Sequence, residues 1–444
     1  MVHPHGKRLI VGLGRTGLSV ARHLHAQGLR FAVTDASASP GGLETLRQFA
    51  PDTELFLGGL NPAALHDVVE VIASPGVALR SPLLSEAQER GIAVIGDVEL
   101  FARATQSPVV AITGTNGKST VTTLLALMAQ AAGLRAFAGG NLGRPALDLL
   151  QDTPADLFVL ELSSFQLETT HSLQTKASVV LNVTSDHVDR YDSMLDYAQA
   201  KARVFDRCAA AVINRDDPLV AAMPRHGQRV LSFSVQPDAA ADYTIMRTGN
   251  DVLLCGHGKP LAAMSELKIT GLHNAANALA ALAMREALAL DQSACLQALR
   301  DFPGLPHRAE WIADVNGVRY IEDSKGTNIG ATLAAVTGMQ GPLVIIAGGQ
   351  GKGQDFAPLA AAFRNKVRHV VLMGQDAAQI DAVLKGVCST ERVTSMEQAV
   401  KAAAHAAHAG DTVLLSPACA SLDMFRDYAH RGAAFAAAVR ELQS

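Results

Sequence analysis

Residues 111–120 read AITGTNGKST, and this stretch decides the fold of the middle of the chain. The residues at its start are apolar and β-branched, which predicts a buried strand over Val109–Thr113. Residues 120–133, TVTTLLALMAQAAG, have the apolar spacing of a helix and end on Gly133. A glycine turn between a strand and a helix N-terminus points backbone N–H groups at one spot, which suits an anion.

The turn itself, Gly-Thr-Asn-Gly-Lys-Ser-Thr at 114–120, is a shortened form of the phosphate-binding loop. The general pattern has a further glycine where this chain has Ile112. In that pattern Lys118 supplies a charge for the β- and γ-phosphates, and Ser119 or Thr120 supplies a hydroxyl for Mg²⁺. An ordinary strand–helix turn rarely starts its helix with Gly-Lys-Ser, so we predict a nucleotide site.

Length and composition narrow the class of protein. A chain of 444 residues suggests about three domains, and 48% hydrophobic content excludes a disordered chain. A net charge of −4 gives no basic field for nucleic acid, and no apolar run approaches the ~18 residues of a membrane span. The five cysteines form no paired CxxC motif, so we expect neither a disulfide framework nor a zinc site. We expect a soluble cytoplasmic protein without membrane insertion.

The first hundred residues alternate short β-rich runs with helical stretches, which predicts a parallel sheet. The predicted strands are Leu9–Leu13, Phe31–Thr34, Val68–Ala73 and Ala93–Ile95. The turn GLGRTG at 12–17 and an acid at Asp35 satisfy the dinucleotide fingerprint. Three interpretations of this fingerprint stay open: a nicotinamide cofactor, another diphosphate nucleotide, or tight packing alone.

Two further α/β series follow. The second starts at Ser107, continues to a predicted polar hairpin over Asp242–Lys268, and ends with a helix in GLHNAANALAALAMREAL. A hinge is predicted at 301–310, which contains two prolines. The strands predicted beyond it are Val318–Ile321, Leu343–Ala347, His369–Met373 and Thr412–Leu415. The pattern predicts three α/β domains, each with its own sheet, over residues 1–98, 99–304 and 305–444.

Polar residues follow the predicted central strands, where open α/β sheets bind ligands. Glu161 ends one strand, and His187 follows the next, between Asp186 and Asp189. Glu161 alone is as consistent with a salt-bridged acid as with a Mg²⁺ ligand, but three donors near a phosphate site favour a metal. Lys201, fourteen residues after His187, has the pattern of a solvated lysine on a helix.

Other polar groups accompany the helix and the third series. Asn274 and Asn277 share one helical face, where amides either bond within the core or contact an adenine edge. Arg308 comes from the hinge, and Lys352 lies in the glycine-rich stretch AGGQGKGQDF. The segment YIEDSKGTN adds Asp323, Ser324, Lys325, Thr327 and Asn328. Two lysines and an arginine at one sheet edge predict an anionic ligand.

Seven stretches in this order resemble the Mur ligases, the ATP-dependent amide-forming enzymes of peptidoglycan synthesis. They are GTNGKST, ELSSFQLE, NVTSDHVDRY, GLHNAANALAAL, GLPHR, EDSKGTN and LLSPACASLDMF. The resemblance covers essentially the whole chain, and the last stretch resembles the branch that adds D-glutamate. It implies a Rossmann-like N-terminal domain for UDP, a central P-loop domain for ATP and a Rossmann-like C-terminal domain for the amino acid.

The resemblance also implies a role for individual residues, with Lys118, Glu161, His187, Lys201 and Lys325 as the catalytic set. ATP would be contacted by Gly114, Thr115, Asn116, Gly117, Lys118, Ser119, Thr120, Asn277, Arg308 and Asp323. Two Mg²⁺ ions would be held by Ser119 or Thr120, Glu161, His187 and a carboxylated Lys201. The UDP part would be contacted by Gly14, Arg15, Thr16, Asp35, Gly76 and Asn141. D-Glutamate would be contacted by Lys325, Thr327, Lys352, Ser421, Leu422 and Tyr428.

Competing functions explain less of the chain. A nicotinamide-dependent oxidoreductase uses only residues 12–35, and a non-catalytic nucleotide-binding regulator needs no Glu161–His187 pair. A folate polyglutamate ligase, or a Mur ligase for another amino acid, is the nearest rival, and SPACASLDMF weighs against both. The expected substrates are ATP, D-glutamate and UDP-N-acetylmuramoyl-L-alanine, the latter two joined through an acyl phosphate by an enzyme that acts as a monomer.

Overall fold

The computed structural model describes residues 6–151, 154–187, 190–236, 240–249, 251–339 and 341–443. Within these residues the chain forms three sheets, of five, nine and six strands. Three short 3₁₀ turns lie at Pro62–Leu65, Arg203–Phe205 and Met264–Glu266. Among the helices of this described part, none has the length and apolar character that crossing a membrane requires.

The first sheet is entirely parallel, in the order β3-β2-β1-β4-β5. Its elements are β1 (Lys7–Val11), α1 (Arg15–Ala26), β2 (Phe31–Asp35), α2 (Leu43–Phe49), β3 (Glu54–Leu57), β4 (Val68–Ala73), α3 (Pro82–Glu89) and β5 (Ala93–Ile95). The strand order reverses at β1, so the GLGRTG turn lies at the position where such sheets bind ligands. The strand ends at Val11 rather than at the predicted Leu13, because Gly12 turns the chain with a φ of 93°.

The central sheet has the order β14-β13-β12-β11-β10-β9-β6-β8-β7. Its strands are β6 (Val109–Thr113), β7 (Ala136–Gly140), β8 (Leu157–Glu161), β9 (Ala177–Val180), β10 (Ala210–Asn214), β11 (Arg229–Phe233), β12 (Tyr243–Thr248), β13 (Asp251–Gly256) and β14 (Lys259–Ala263). The predicted strand at Val109–Thr113 is confirmed. The predicted hairpin has three strands, β12, β13 and β14, rather than two. Its first strand, β12, pairs with β11 of the parallel part of the sheet.

Helices cover both faces of the central sheet. They are α4 (Asp97–Ala104), α5 (Lys118–Ala131), α6 (Ala146–Leu149), α7 (Ser164–Glu168), α8 (Met194–Ala202), α9 (Pro218–Ala221), α10 (Leu272–Ala287) and α11 (Gln292–Asp301). One hydrophobic cluster includes Ile10 and Val33 of the first sheet as well as Ala111 and Leu160 of the central sheet. Because the two sheets share this core, the first sheet is held beside the carboxyl ends of the central strands.

The third sheet has the order β15-β16-β20-β17-β18-β19, with β15 antiparallel at one edge. Its elements are β15 (Glu310–Val315), β16 (Val318–Glu322), α12 (Ile329–Gly338), β17 (Leu343–Ala347), α13 (Ala357–Phe363), β18 (Val367–Leu372), α14 (Ala377–Leu384), β19 (Ser389–Arg392), α15 (Met396–Ala406), β20 (Thr412–Leu415) and α16 (Tyr428–Glu441). The predicted hinge is the connection between α11 and β15. The edge strand β15 was not predicted, because its start lies within the segment 301–310 that the two prolines mark as a hinge.

Candidate active site

The phosphate loop needs glycine at two positions. Gly114 has a φ of 148°, and a Cβ there would lie 2.9 Å from the Cβ of Leu181. Gly117 has a φ of 85°, and a Cβ there would collide with the side-chain amide of Asn277. Since α5 begins directly after Gly117, its first N–H groups point into the loop. The strand, glycine turn and helix predicted from the sequence are therefore present, in a geometry that suits an anion.

Two buried amines occupy the centre of this loop. Nζ of Lys118 donates to the carbonyl oxygens of Gly114, at 2.9 Å, and Thr115, at 2.8 Å. Nζ of Lys201 donates to the same Gly114 oxygen at 2.9 Å. Lys201 is only 1% exposed, so it is not the solvated helix lysine that its sequence pattern suggests. Burial, reinforced by the charge of Lys118, holds the pKa of Lys201 well below its usual value.

Glu161 ends β8 and is 2% exposed. Its Oε1 accepts a hydrogen bond from Nδ2 of Asn141 at 2.6 Å, whereas its Oε2 has no partner among the described residues. A buried carboxylate oxygen without a partner is costly unless a cation or a donor reaches it. This oxygen therefore fits a hard cation such as Mg²⁺.

His187 lies on the other side of the loop. Its backbone is left-handed, with a φ of 55°, and its N–H donates to Oδ1 of Asp186 at 3.0 Å. The ring packs against Phe165 and Tyr197, and burial lowers the pKa of the imidazole. A neutral imidazole keeps a nitrogen lone pair, which a metal ligand requires. Asp189 lies outside the described residues.

The third domain reaches the phosphate loop through its hinge. Nη2 of Arg308 donates to Oγ of Ser119 at 2.8 Å. The buried carboxyl of Asp323 accepts from the backbone N–H of Ala309 and from Oγ of Ser416, and burial raises its pKa to about 7. These contacts place the hinge against the nucleotide site.

Lys325 also faces the loop. Its Nζ lies 3.9 Å from the centre of the Tyr428 ring. Burial, followed by the charge of Arg308, lowers the pKa of Lys325 to about 8. The ammonium form therefore still dominates at neutral pH and can attract an anion.

Most predicted residues line two adjacent cavities. The larger, of about 410 Å³, is lined by Gly76, Thr115, Asn116, Gly117, Lys118, Ser119, Asn141, Glu161, His187, Lys201, Arg308, Lys325, Thr327 and Lys352, among others. The smaller, of about 270 Å³, is lined by Thr120, Asn274, Asn277, Arg308 and Asp323, among others. Of the two candidate hydroxyls, Ser119 shares its cavity with Glu161, whereas Thr120 faces the smaller cavity.

Four predicted residues at the first sheet lie outside both cavities: Gly14, Arg15, Thr16 and Asp35. The carboxylate of Asp35 accepts from the N–H groups of Leu13, at 2.7 Å, and Ser37, at 2.8 Å, so it holds the turn itself. The Arg15 guanidinium donates to the carbonyl of Gly143, in the loop that also contains Asn141. The GLGRTG turn is thus tied to the edge of the larger cavity.

Apart from Gly114, whose carbonyl accepts from both lysines but which lines neither cavity, the remaining predicted residues come from the end of the chain. Ser421 is 4% exposed and Leu422 is 65% exposed, and neither lines the two cavities. Tyr428 contacts Lys325 without lining either cavity. The structure therefore brings Lys325, Thr327 and Lys352 together, but it leaves Ser421 and Leu422 apart from them.

Sequence reasoning missed two polar residues of the site, Asn182 and His273, and it singled out Asn328 without identifying its partners. Oδ1 of Asn182 accepts from the backbone N–H of Asn116 at 2.8 Å. Nδ2 of Asn328 donates to Oδ1 of Asn116 and to Oδ2 of Asp186, each at 3.2 Å. His273 lines the smaller cavity with a buried Nδ1 that has no hydrogen-bond partner among the described residues, and burial lowers its pKa to about 4. Asn182 and His273 stand in stretches singled out for other residues, so their adjacency was the available signal.

Comparison with known protein families accounts for this arrangement. Three protein families match the chain. Residues 6–96 match the family described as "Mur ligase MurD-like, N-terminal domain". Residues 112–285 match "Mur ligase middle domain", and residues 307–419 match "Mur ligase, glutamate ligase domain". The UDP-N-acetylmuramoylalanine–D-glutamate ligase of Methylococcus capsulatus is 50% identical over 434 residues, 98% of this chain and 94% of that protein. The chain belongs to the Mur ligase family.

Other relatives agree with this assignment. The enzyme of the same name from Nitrosococcus oceani is 51% identical over 439 residues, 98% of this chain and 97% of that protein. Among solved structures, the UDP-N-acetylmuramate-alanine ligase MurC from Thermotoga maritima has a TM-score of 0.63 and covers 98% of this chain and 100% of its own, at 19% identity. This low identity shows the fold alone. The three-domain α/β architecture predicted from the sequence, that of an ATP-dependent Mur ligase, is confirmed.

The phosphate loop gives a first prediction for this Mur ligase. Gly117→Ala should weaken ATP binding at least tenfold in titration calorimetry, because the new Cβ collides with Asn277 and displaces the start of α5. Gly133→Ala is the matched control, since Gly133 follows the same helix with a φ of 90° and no atom near its Cβ position. Both variants incur left-handed strain of about 1–2 kcal/mol. Equal ATP affinities in the two variants would contradict the assignment of the loop.

Proposed function

We propose that this chain joins D-glutamate to UDP-N-acetylmuramoyl-L-alanine and converts ATP to ADP and phosphate. The observation that supports this most is the larger cavity, where the phosphate-loop Lys118 and the free oxygen of Glu161 face Lys325 and Lys352 of another domain. Such a cavity can hold a nucleotide phosphate, an acceptor carboxylate and an anionic amino acid together. The substrates themselves are inferred from the names of the relatives.

The reaction begins with activation of a carboxylate, which is a poor acyl donor. An oxygen of the L-alanyl carboxylate attacks the γ-phosphorus of ATP, and ADP leaves, so an acyl phosphate forms. Lys118 and Arg308 reduce the repulsion between the two anions. We infer two Mg²⁺ sites, one at Ser119 and Glu161 and one at His187 and Lys201, where bound Mg²⁺ would supply further charge neutralisation.

Amide formation then follows. The neutral amine of D-glutamate attacks the acyl carbon, and the tetrahedral intermediate expels phosphate while the amine loses its proton. Lys325 and Lys352 would attract the two carboxylates of the amino acid, a role supported by their lining the same cavity as Thr327. Tyr428 already contacts Lys325, whereas Ser421 and Leu422 do not line this cavity and are assigned to D-glutamate by the family resemblance alone.

The remaining contacts are assigned by position. The nucleoside part of ATP fits the smaller cavity beside Asn277 and Asp323. The UDP part fits the carboxyl edge of the first sheet, beside Arg15 and Asp35, with Gly76 and Asn141 between it and the phosphate loop. We place the domain boundaries after residues 98 and 304 and propose that a cytoplasmic monomer closes about the segment between α11 and β15.

Phosphate release tests the proposed function. We expect release only when ATP, UDP-N-acetylmuramoyl-L-alanine and D-glutamate are all present. L-Glutamate, other D-amino acids and a folate acceptor serve as matched comparisons. Release with L-glutamate and a folate, or with another amino acid in preference to D-glutamate, would assign the chain to a rival ligase. Release that needs ATP alone would contradict the ligase function.

Lys118→Ala should abolish turnover and leave binding of the UDP substrate nearly intact. Lys118 lies in the phosphate loop, whereas the GLGRTG turn belongs to the first sheet. Calorimetry of the acceptor with the variant measures the binding, and phosphate release measures the turnover. If acceptor affinity falls as much as activity does, the two sites are not separate.

Lys352→Ala should raise the KM for D-glutamate far more than the KM for ATP. Lys352 is exposed where it lines the cavity, so its loss removes one charge-assisted hydrogen bond of about 1.5–3 kcal/mol, which corresponds to about tenfold or more. Lys366→Ala is the control, because this lysine of the same domain donates to the carbonyl of Thr337 away from the cavity. Equal effects of Lys352→Ala on both KM values would show that Lys352 serves the nucleotide.

Lys201 should be carboxylated in the active enzyme. Its lowered pKa supplies the neutral amine that reacts with CO₂, and the carbamate offers oxygen ligands where an ammonium would repel Mg²⁺. Because a lysine pKa that falls on folding leaves the amine neutral above the folded value, carbamate formation should fade as the pH falls below the folded pKa of Lys201.

Three measurements test the carbamate. The carbonyl signal of ¹³C-bicarbonate-treated enzyme should appear in the wild type and in the exposed-lysine control Lys176→Ala, but not in Lys201→Ala. Lys201→Ala should be nearly inactive and partly restored by acetate, which can occupy the space that the side chain leaves. A substrate-bound, metal-loaded structure with an unmodified Lys201 ammonium paired to an acid would overturn the assignment.

A further inference from the structure

Arg431 is a buried guanidinium that the proposed reaction does not use. It lies in the first turn of α16 and is 2% exposed. Among the described residues, no carboxylate forms an ion pair with Arg431, and no acceptor bonds to its Nη1. Its direct partners are neutral oxygens, while the carboxylates of Asp423, Glu322 and Asp323 act on its charge without bonding to it. A buried guanidinium is costly to desolvate, and its hydrogen bonds offset that cost by tying chain segments together.

The neutral partners of Arg431 come from two different segments. Its Nε and Nη2 donate to the side-chain and backbone oxygens of Ser324, each at 2.9 Å, and Nη2 also donates to the carbonyl of Cys419 at 3.1 Å. Ser324 directly precedes Lys325, and Cys419 lies two residues before Ser421. One planar guanidinium thus fixes the segment after β16 relative to the segment after β20.

Ser324 extends this connection back to α16. Its hydroxyl donates to the carbonyl of Tyr428 at 2.8 Å, and the Tyr428 ring packs against Nζ of Lys325. On the same helix, a Cβ at Gly432 would lie 2.6 Å from Oε2 of Glu322, so the helix is seated tightly against the end of β16. Lys325 is therefore held in two ways. The preceding residue, Ser324, is bonded to Arg431 and Tyr428, and the Tyr428 ring contacts the ammonium of Lys325.

We propose that Arg431 is a positioning residue for the incoming amino acid. It sets the spacing between Lys325 and the Ser421 segment through its planar fork of hydrogen bonds to Ser324 and Cys419. This inference rests on the proposed function, since it assumes that these two segments hold D-glutamate. It assigns no role to Arg431 in binding ATP or the UDP substrate.

Steady-state phosphate release tests the proposal in three variants. Arg431→Ala should raise the KM for D-glutamate at least tenfold and change the KM for ATP less than twofold. Arg431→Lys keeps the charge but not the planar fork, so it should recover little of the loss. Ser324→Ala removes the shared hydroxyl with a small change in volume and should raise the same KM severalfold, even if Arg431→Ala fails to fold. Methylguanidine should partly restore Arg431→Ala.

Arg368→Ala is the matched control. Arg368 makes two hydrogen bonds to Asp411 at the opposite edge of the same sheet, so its loss should lower the melting temperature without changing the ratio of KM values. If Arg431→Lys and Ser324→Ala fold and keep the wild-type KM for D-glutamate, the proposal is overturned. The same holds if they raise the KM for D-glutamate and the KM for ATP equally. A wild-type enzyme that releases no phosphate with D-glutamate would instead contradict the proposed function, and this inference with it.

Discussion

The carbonyl oxygen of Gly114 accepts hydrogen bonds from two buried amines, and the rest of the site depends on this shared acceptor. Lys118 and Lys201 lie close enough that two full positive charges would repel each other strongly in a medium of low dielectric constant. Lys201 is the more natural neutral partner, because burial and the charge of Lys118 both disfavour its ammonium form. Burial lowers the pKa of Lys118 as well, so one glycine carbonyl holds together two lysines whose ammonium forms are both disfavoured by their surroundings.

The same loop organises the contacts between domains. Arg308 from the hinge reaches Ser119, and Asn328 from the third domain reaches Asn116. Because these bonds end on the phosphate loop, the proposed nucleotide site is in direct contact with the third domain. The lysines proposed to bind the amino acid belong to that domain, so we expect the site to be complete only when the two domains are together.

The sequence predicted features that depend on local pattern. The strand at Val109–Thr113 and the start of α5 follow from apolar spacing and glycine, which act over a few residues. The family resemblance supplied the residue roles, and the structure places most of those residues along two cavities. Those roles remain predictions that the kinetic measurements address.

Features that depend on distant contacts were beyond the sequence. Lys201 has the pattern of a solvated lysine, and only the fold shows that it is buried beneath the loop. The carboxylate of Asp35 accepts from the N–H of Leu13, a residue far from it in sequence. Leu422 is exposed, which its local sequence does not show. Arg431 gave no signal at all, since its partners lie more than ten residues away along the chain.

The measurement that tests the central claim most directly is an isotope transfer. UDP-N-acetylmuramoyl-L-alanine labelled with ¹⁸O in its carboxylate is incubated with the enzyme, ATP and D-glutamate, and the released phosphate is analysed by mass spectrometry. An acyl phosphate formed beside Lys118 and Glu161 transfers one carboxylate oxygen to phosphate, so each phosphate should contain one ¹⁸O atom. Phosphate without the label, formed alongside the amide product, would contradict activation of the carboxylate at this site.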